Sequence, residues 1–278
     1  MKIHSIAFLI AVPFIVLAIY AGYHVFFMDN AGMFPYLMIF VIIITVIYVF
    51  SPQIDFAWYS QYPRELNEKE KLFLTEVSSF YNTLDDEQKV IFEQRLYVFI
   101  RSKEFKFVRK EHKELPEDMK LVIAVNAIRV SLGQQKYLYN GFDRYYVYGH
   151  AFPTPDKQFL HSVEVNYEDK IVIFNMENLI KGLNIKNRIF NIGIFAFVDI
   201  FLHLHTENKY RDIDKSDFWE KIETISGLNK ESIINTIGYE PESYYSIIFT
   251  FFFMFPGESQ KEYPELYQDF LTTFNLKY

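Results

Sequence analysis

The chain has 278 residues, of which 50% are hydrophobic, 19% aromatic and 23% charged. That balance excludes a disordered chain, and 10 Gly and 10 Pro exclude collagen-like or Pro/Gly-rich ones. The absence of cysteine excludes a disulfide scaffold and any thiolate metal site, while a net charge of −7 argues against nucleic-acid binding.

The hydrophobicity is concentrated at the start. Ser5 to Phe27 contains no Asp, Glu, Lys or Arg. As a helix it would be about 35 Å long, enough to cross a hydrocarbon core of ~30 Å. A second uncharged run, Ala31 to Phe50, follows the polar turn Met28-Asp29-Asn30-Ala31-Gly32. The pair reads as a transmembrane helical hairpin. A cleavable signal peptide fits less well: the first run is too long, it has no small-x-small cleavage site, and another apolar run follows at once. Lys2 precedes the first run and Arg64, Lys69 and Lys71 follow the second, so both termini are expected on the cytoplasmic side of the cell membrane. Tyr20, Tyr23, Trp58 and Tyr59 fall where interfacial rings are favoured.

Ser51-Pro52 is expected to end the second helix, and Ser60 to Arg64 to form a linker. Residues 1–60 then make the hairpin and 61–278 an acidic globular domain. Asn67 to Tyr81 carries Leu72, Phe73, Val77 and Phe80 at helical spacing. Asp85-Asp86 opens a helix whose apolar face is Val90, Ile91, Phe92, Leu96, Phe99 and Ile100. Lys120 to Gly133 reads as an amphipathic helix ending at a glycine. Asp143 to Tyr148 and Ile171 to Phe174 read as strands. Ile189 to His203, Ser232 to Ile237, Tyr244 to Phe255 and Pro264 to Phe274 read as helices. The fold class is α+β, mostly helical.

Several segments share an order and spacing with a known family. They are Phe92-x-x-Arg95, Phe99-x-x-x-Lys103-x-Phe105, Ile123-Ala124-x-x-Ala127 with Leu132-Gly133, Tyr146-Val147-Tyr148 with Phe152, Phe253-x-x-Pro256, and Pro264-x-Leu266-Tyr267. Together, over residues 75–275, they resemble the Mlc titration factor A family of zinc peptidases, although Gly149 stands where that family keeps a proline. The resemblance implies a zincin-like domain behind the two N-terminal transmembrane helices. It also implies a metal site on a His-Glu-x-x-His helix preceded by an Asn, where the two His face the metal and the Glu acts as base.

In the matching stretch, Asn191 to Asp199, Phe195 holds the first His position, Ala196 the Glu position and Asp199 the second His position. The third ligand, a Glu before a Phe-Phe pair and a proline, falls on Thr250, and Tyr239 aligns near a family tyrosine. The resemblance therefore implies a pseudoenzyme, with no catalytic residue, no metal and no cofactor expected. The family's named member binds the transcriptional repressor Mlc, which implies a protein- or peptide-binding, regulatory role here. Alternatives are a membrane sensor or assembly subunit, and an active peptidase with a rearranged zinc set. For the latter, Asp199, His203 and Glu207 recur at i, i+4 and i+8, one face of a continuous helix. His205 would point elsewhere.

Other candidates are weaker. His150 and His161 bracket a Pro-containing loop and read as surface residues; His112 lies in the charged run Arg109 to Glu117. Ser131, Ser162 and Ser246 lack a nucleophile-elbow context. Phe249 to Phe255 reads as a core helix packed on Ile189 to Leu202, or else as an apolar pocket for a peptide or lipid.

Overall fold

The computed structural model describes residues 5–108, 115–184 and 188–276. Lys2 and His112, with most of the charged run that holds His112, lie outside the described residues. The chain divides into two compact units, Met1–Arg64 and Glu65–Tyr278.

The first unit holds α1 (Ser5–Phe27), α2 (Phe34–Val49) and α3 (Ser51–Gln61). Ile6–Phe27 and Ala31–Val49 are each long and apolar enough to cross a membrane. Ala7, Ala11 and Ala21 are buried on α1, so small side chains allow close packing, while Phe8, Ile19, Ile39, Ile42 and Val46 point outward. Asn30 caps the turn between the helices by accepting a bond from the Gly32 N–H at 3.2 Å. Ser51-Pro52 does not end the helical structure: Phe50 breaks α2, and α3 starts with Pro52 in its first turn, where a missing N–H costs nothing. Asp55 of α3 is buried and its Oδ1 accepts the Ala7 N–H at 2.9 Å. That satisfies one of the unpaired donors of the first turn of α1 and places a carboxylate at its positive end.

The second unit begins with α4 (Glu68–Val77) and α5 (Asp86–Ser102), each opened by a capping box, Asn67 with Glu70 and Asp85 with Gln88. Phe92, Leu96 and Phe99 are buried on α5 as expected. Leu72, Val90 and Ile91 are not: they are 60%, 49% and 47% exposed, and Leu74 carries the burial of α4 instead. Helical spacing fixes a face but not its width, and both helices are buried over a narrow stripe. Then come β1 (Glu104–Phe107) and α6 (Glu117–Ser131). α6 is not amphipathic. From Lys120 to Ser131 all but Arg129 is buried, because α5, α7 and α8 surround it.

The strands β2 (Arg144–Tyr148), β3 (Val163–Asn166) and β4 (Ile171–Asn175) join β1 in the order β1-β2-β4-β3. β1 is parallel to β2 and β2 to β4; β3 runs antiparallel to β4. The register sets Phe105 beside Tyr145 and Tyr145 beside Val172, forming with Phe107, Val147 and Phe174 the buried face. The remaining helices are α7 (Met176–Leu183), α8 (Ile192–Leu204), α9 (Phe218–Ser226), α10 (Lys230–Ile237), α11 (Tyr244–Met254), α12 (Pro256–Glu262) and α13 (Pro264–Phe274).

Two residues of the quoted motifs have evident structural work. Arg95 donates to the Ser131 and Leu132 carbonyls at 3.2 and 2.7 Å, capping the C-terminus of α6. Lys103 is buried and reaches Asp143 at 2.6 Å, tying the end of α5 to the start of β2.

Candidate functional site

The site is built where α8 meets α11. Asn191 opens α8: its Oδ1 accepts the Gly193 and Ile194 N–H groups at 2.9 and 3.0 Å, and its Nδ2 donates to the Gly182 carbonyl at 2.9 Å. Gly193 then lets α8 lie close against α6, since a Cβ there would sit 2.5 Å from Cγ of Asn126. From that start α8 runs through the core. Phe195 and Ala196 are buried, and the neighbouring Phe197 ring lies 6.0 Å from Phe99 and 5.0 Å from Tyr139.

α11 packs alongside. Ser246 to Met254 are all buried, so the phenylalanine run is core and not an open pocket. It packs on α8 and also on α13, with Phe252 and Phe253 5.3 and 4.8 Å from Phe270. Phe190, just before α8, contacts Phe195 at 5.6 Å and Phe251 at 5.3 Å and so bridges the two helices. Thr250 is fully buried, and its hydroxyl donates to the Ser246 carbonyl at 2.6 Å within its own helix. The three positions where the resemblance expects a His, the Glu base and the third ligand thus hold packed side chains.

Asp199 is engaged differently. Its Oδ1 accepts the Ser246 hydroxyl at 2.6 Å, and its Oδ2 accepts the Tyr167 hydroxyl. Tyr167 sits in the turn between β3 and β4, and its ring stacks on His203 with centroids 4.2 Å apart. One carboxylate therefore ties α8, α11 and the sheet together. Burial raises the Asp199 carboxyl above its ordinary value; the Ser246 and Tyr167 hydroxyls and His203 pull it back, and Glu242 adds to the rise. Tyr239 lies in the same field: burial raises its hydroxyl first, then Asp199, Glu164 and Glu242.

The rise has a sign that can be measured. A carboxyl raised on folding binds its proton more tightly in the folded chain. Its ionised form opposes folding above the raised value, and the penalty vanishes as pH falls below the ordinary carboxylate value. Asp199→Asn mimics the protonated form. The variant is expected to melt at or above the parent temperature at pH 7, with the difference shrinking towards pH 4 in a thermal-unfolding series.

The i, i+4, i+8 face does not persist. α8 ends at Leu204, and His205 leaves helical geometry at φ −125° and ψ 55° while its ring stacks on Phe201. Glu207 follows the break, so it is not carried on the face of Asp199 and His203. Among the described residues no group of three or more His, Asp or Glu could hold a metal ion. A catalytic zinc needs three protein donors and an open position. Asp199 and His203 supply two, with Asp199 already bonded, so these residues do not fit zinc.

His161 is a correction. It is fully buried, not a surface residue: Nδ1 lies 2.9 Å from the Phe159 carbonyl, and Nε2 lies 2.8 Å from Oε2 of the buried Glu164. His150 is exposed, with Nδ1 3.0 Å from Glu177. Ser131 donates to its own helix at the Ala127 carbonyl, 3.0 Å away, and Ser162 accepts from Asn178 at 2.8 Å. Nothing in the local sequence marks Tyr167 or Ser246 as partners in this site. They lie 32 and 47 residues from Asp199, and no local spacing pairs them.

Comparison with known proteins gives one family. The model of the glucose-regulated metallo-peptidase M90 matches residues 58–182. No curated protein and no solved structure matches the chain. The matched stretch includes Arg95, Lys103, Gly133 and all four strands, and it stops before α8. On that stretch the likeness read from scattered residues holds: this chain resembles the glucose-regulated metallo-peptidase M90 family, the family of Mlc titration factor A.

Proposed function

We propose that this chain is a membrane-anchored, zinc-peptidase-like protein that does not hydrolyse peptides and acts by binding a protein or peptide. The observation that carries this reading is the α8–α11 junction. Phe195, Ala196 and Thr250 are packed core at the positions where the resemblance expects donors, and Asp199 is spent on two hydroxyls. Apolar packing and a three-element hydrogen-bonded tie take over the work that coordination performs in an active relative. The hairpin would hold the domain at the cell membrane with both termini cytoplasmic. No cofactor and no nucleic acid enters this role.

A peptidase assay on the purified full chain in detergent tests it. Across a mixture of peptides with added zinc, cleavage is expected at the level of the buffer blank. Cleavage abolished by a chelator, and lost again in Asp199→Ala, would overturn the reading in favour of a rearranged metal site.

A further inference from the structure

The loop from Ala151 to Leu160 is closed at its base. Phe152 and His161 exchange both backbone bonds at 3.0 Å, and Phe152 stacks on Tyr148 with centroids 4.6 Å apart. Inside the loop the Thr154 N–H donates to the Lys157 carbonyl at 2.9 Å, while the Thr154 hydroxyl donates to the buried Glu164 at 2.7 Å. Behind it Gly238 takes φ +100°, and a Cβ there would meet Cα of His161 at 2.4 Å. This held loop ends in two outward apolar side chains, Phe159 at 49% and Leu160 at 66% exposed. Ordering entropy is already spent, so a surface that accepts the pair gains their burial without first organising the backbone.

We propose that Phe159 and Leu160 form an interfacial anchor that inserts into the lipid surface to which the chain is attached. Two observations favour lipid as the occupant. Residues 151–160 carry one Asp and one Lys, so the tip has no net charge to be repelled by an anionic leaflet. The tether is also short: α3 ends at Gln61, and Leu66 is already in the core of the globular unit. Five residue steps reach at most about 17 Å, which keeps the domain at a high effective concentration beside any bilayer that holds α1 and α2. Phe and Leu side chains are suited to the headgroup–acyl boundary. The inference rests on the proposed membrane anchoring.

The absence of cysteine makes the test clean, since one introduced thiol is the only labelling site. Leu160→Cys, Ile180→Cys at an exposed position of α7 and Ile42→Cys in α2 would each carry an environment-sensitive fluorophore. The full chain would be reconstituted in vesicles of phosphatidylcholine and phosphatidylglycerol, with nitroxide-bearing lipids as quencher. The label at 160 is expected to be blue-shifted and quenched several-fold more than the label at 180, with the label at 42 strongly quenched. A label at 160 that behaves like the one at 180, while 42 is quenched, overturns the anchor and leaves the hairpin standing. A label at 160 that is blue-shifted but unquenched overturns lipid as the occupant and points to a protein surface. An unquenched label at 42 overturns the membrane reading and this inference with it.

Discussion

Ala196→Glu is expected to destabilise the globular unit by about 4 kcal/mol, the cost of forcing an uncompensated charge into a packed interior. Ala196 is fully buried on α8, beside Phe195 and Phe197, and Asp199 on the same helix is itself a raised carboxyl. The substitution restores the residue type the resemblance expects, yet among the described residues no metal-binding group of His, Asp or Glu stands there to receive it. At roughly 2–4 °C per kcal/mol for a domain of this size, thermal unfolding of the full chain in detergent should drop by about 8–16 °C. Phe195→Leu, a large-to-small change that keeps an apolar group and adds no charge, should cost less, about 1–2 kcal/mol. An Ala196→Glu variant that melts with the parent would mean that the α8–α11 junction is an open, wet cleft.

Gly133→Ala is expected to cost about 3 kcal/mol, at the upper end of overpacking, through a contact that side-chain adjustment cannot relieve. A Cβ on Gly133 would stand 2.3 Å from the carbonyl oxygens of both Phe274 and Asn275, which are backbone atoms. The approach is held from both sides. Asn275 donates from Nδ2 to the Gly133 carbonyl at 2.7 Å, and Gln134 donates to the Thr273 carbonyl at 3.0 Å. The substitution therefore lifts the end of α13 off the C-terminus of α6, and hydrogen exchange in α13 should rise along with the fall in melting temperature. Gly149→Ala is the control: a Cβ there meets nothing within 4 Å among the described residues, and its stability should be unchanged.

Legibility from sequence followed how local each cause was. α5 was readable because Asp85 caps it and Phe92, Leu96 and Phe99 repeat at one period, both properties of a single segment. α8, β2 and β4 were readable for the same reason, through apolar or β-branched density. β1 was not: Glu104-Phe105-Lys106-Phe107 is four residues long, and only its pairing with β2 makes it a strand. The burial of Lys120 and Asn126 on α6 was hidden because it depends on three other helices arriving around it. The exposure of Val90 and Ile91 was hidden for the converse reason, since among the described residues no partner covers them. At the site, the loss of donors at Phe195, Ala196 and Thr250 was legible through the resemblance, because identity alone decides that such side chains do not coordinate. What replaces them was not. The bonds from Tyr167 and Ser246 to Asp199 exist only once the sheet and α11 are assembled against α8.

The α8–α11 junction as a metal-free packed core is tested most directly by metal analysis of the purified full chain, joined to thermal unfolding with and without a strong chelator. Far less than one zinc per chain and a melting temperature unmoved by the chelator are expected. About one zinc per chain, with a melting temperature that falls when the metal is removed, would contradict it.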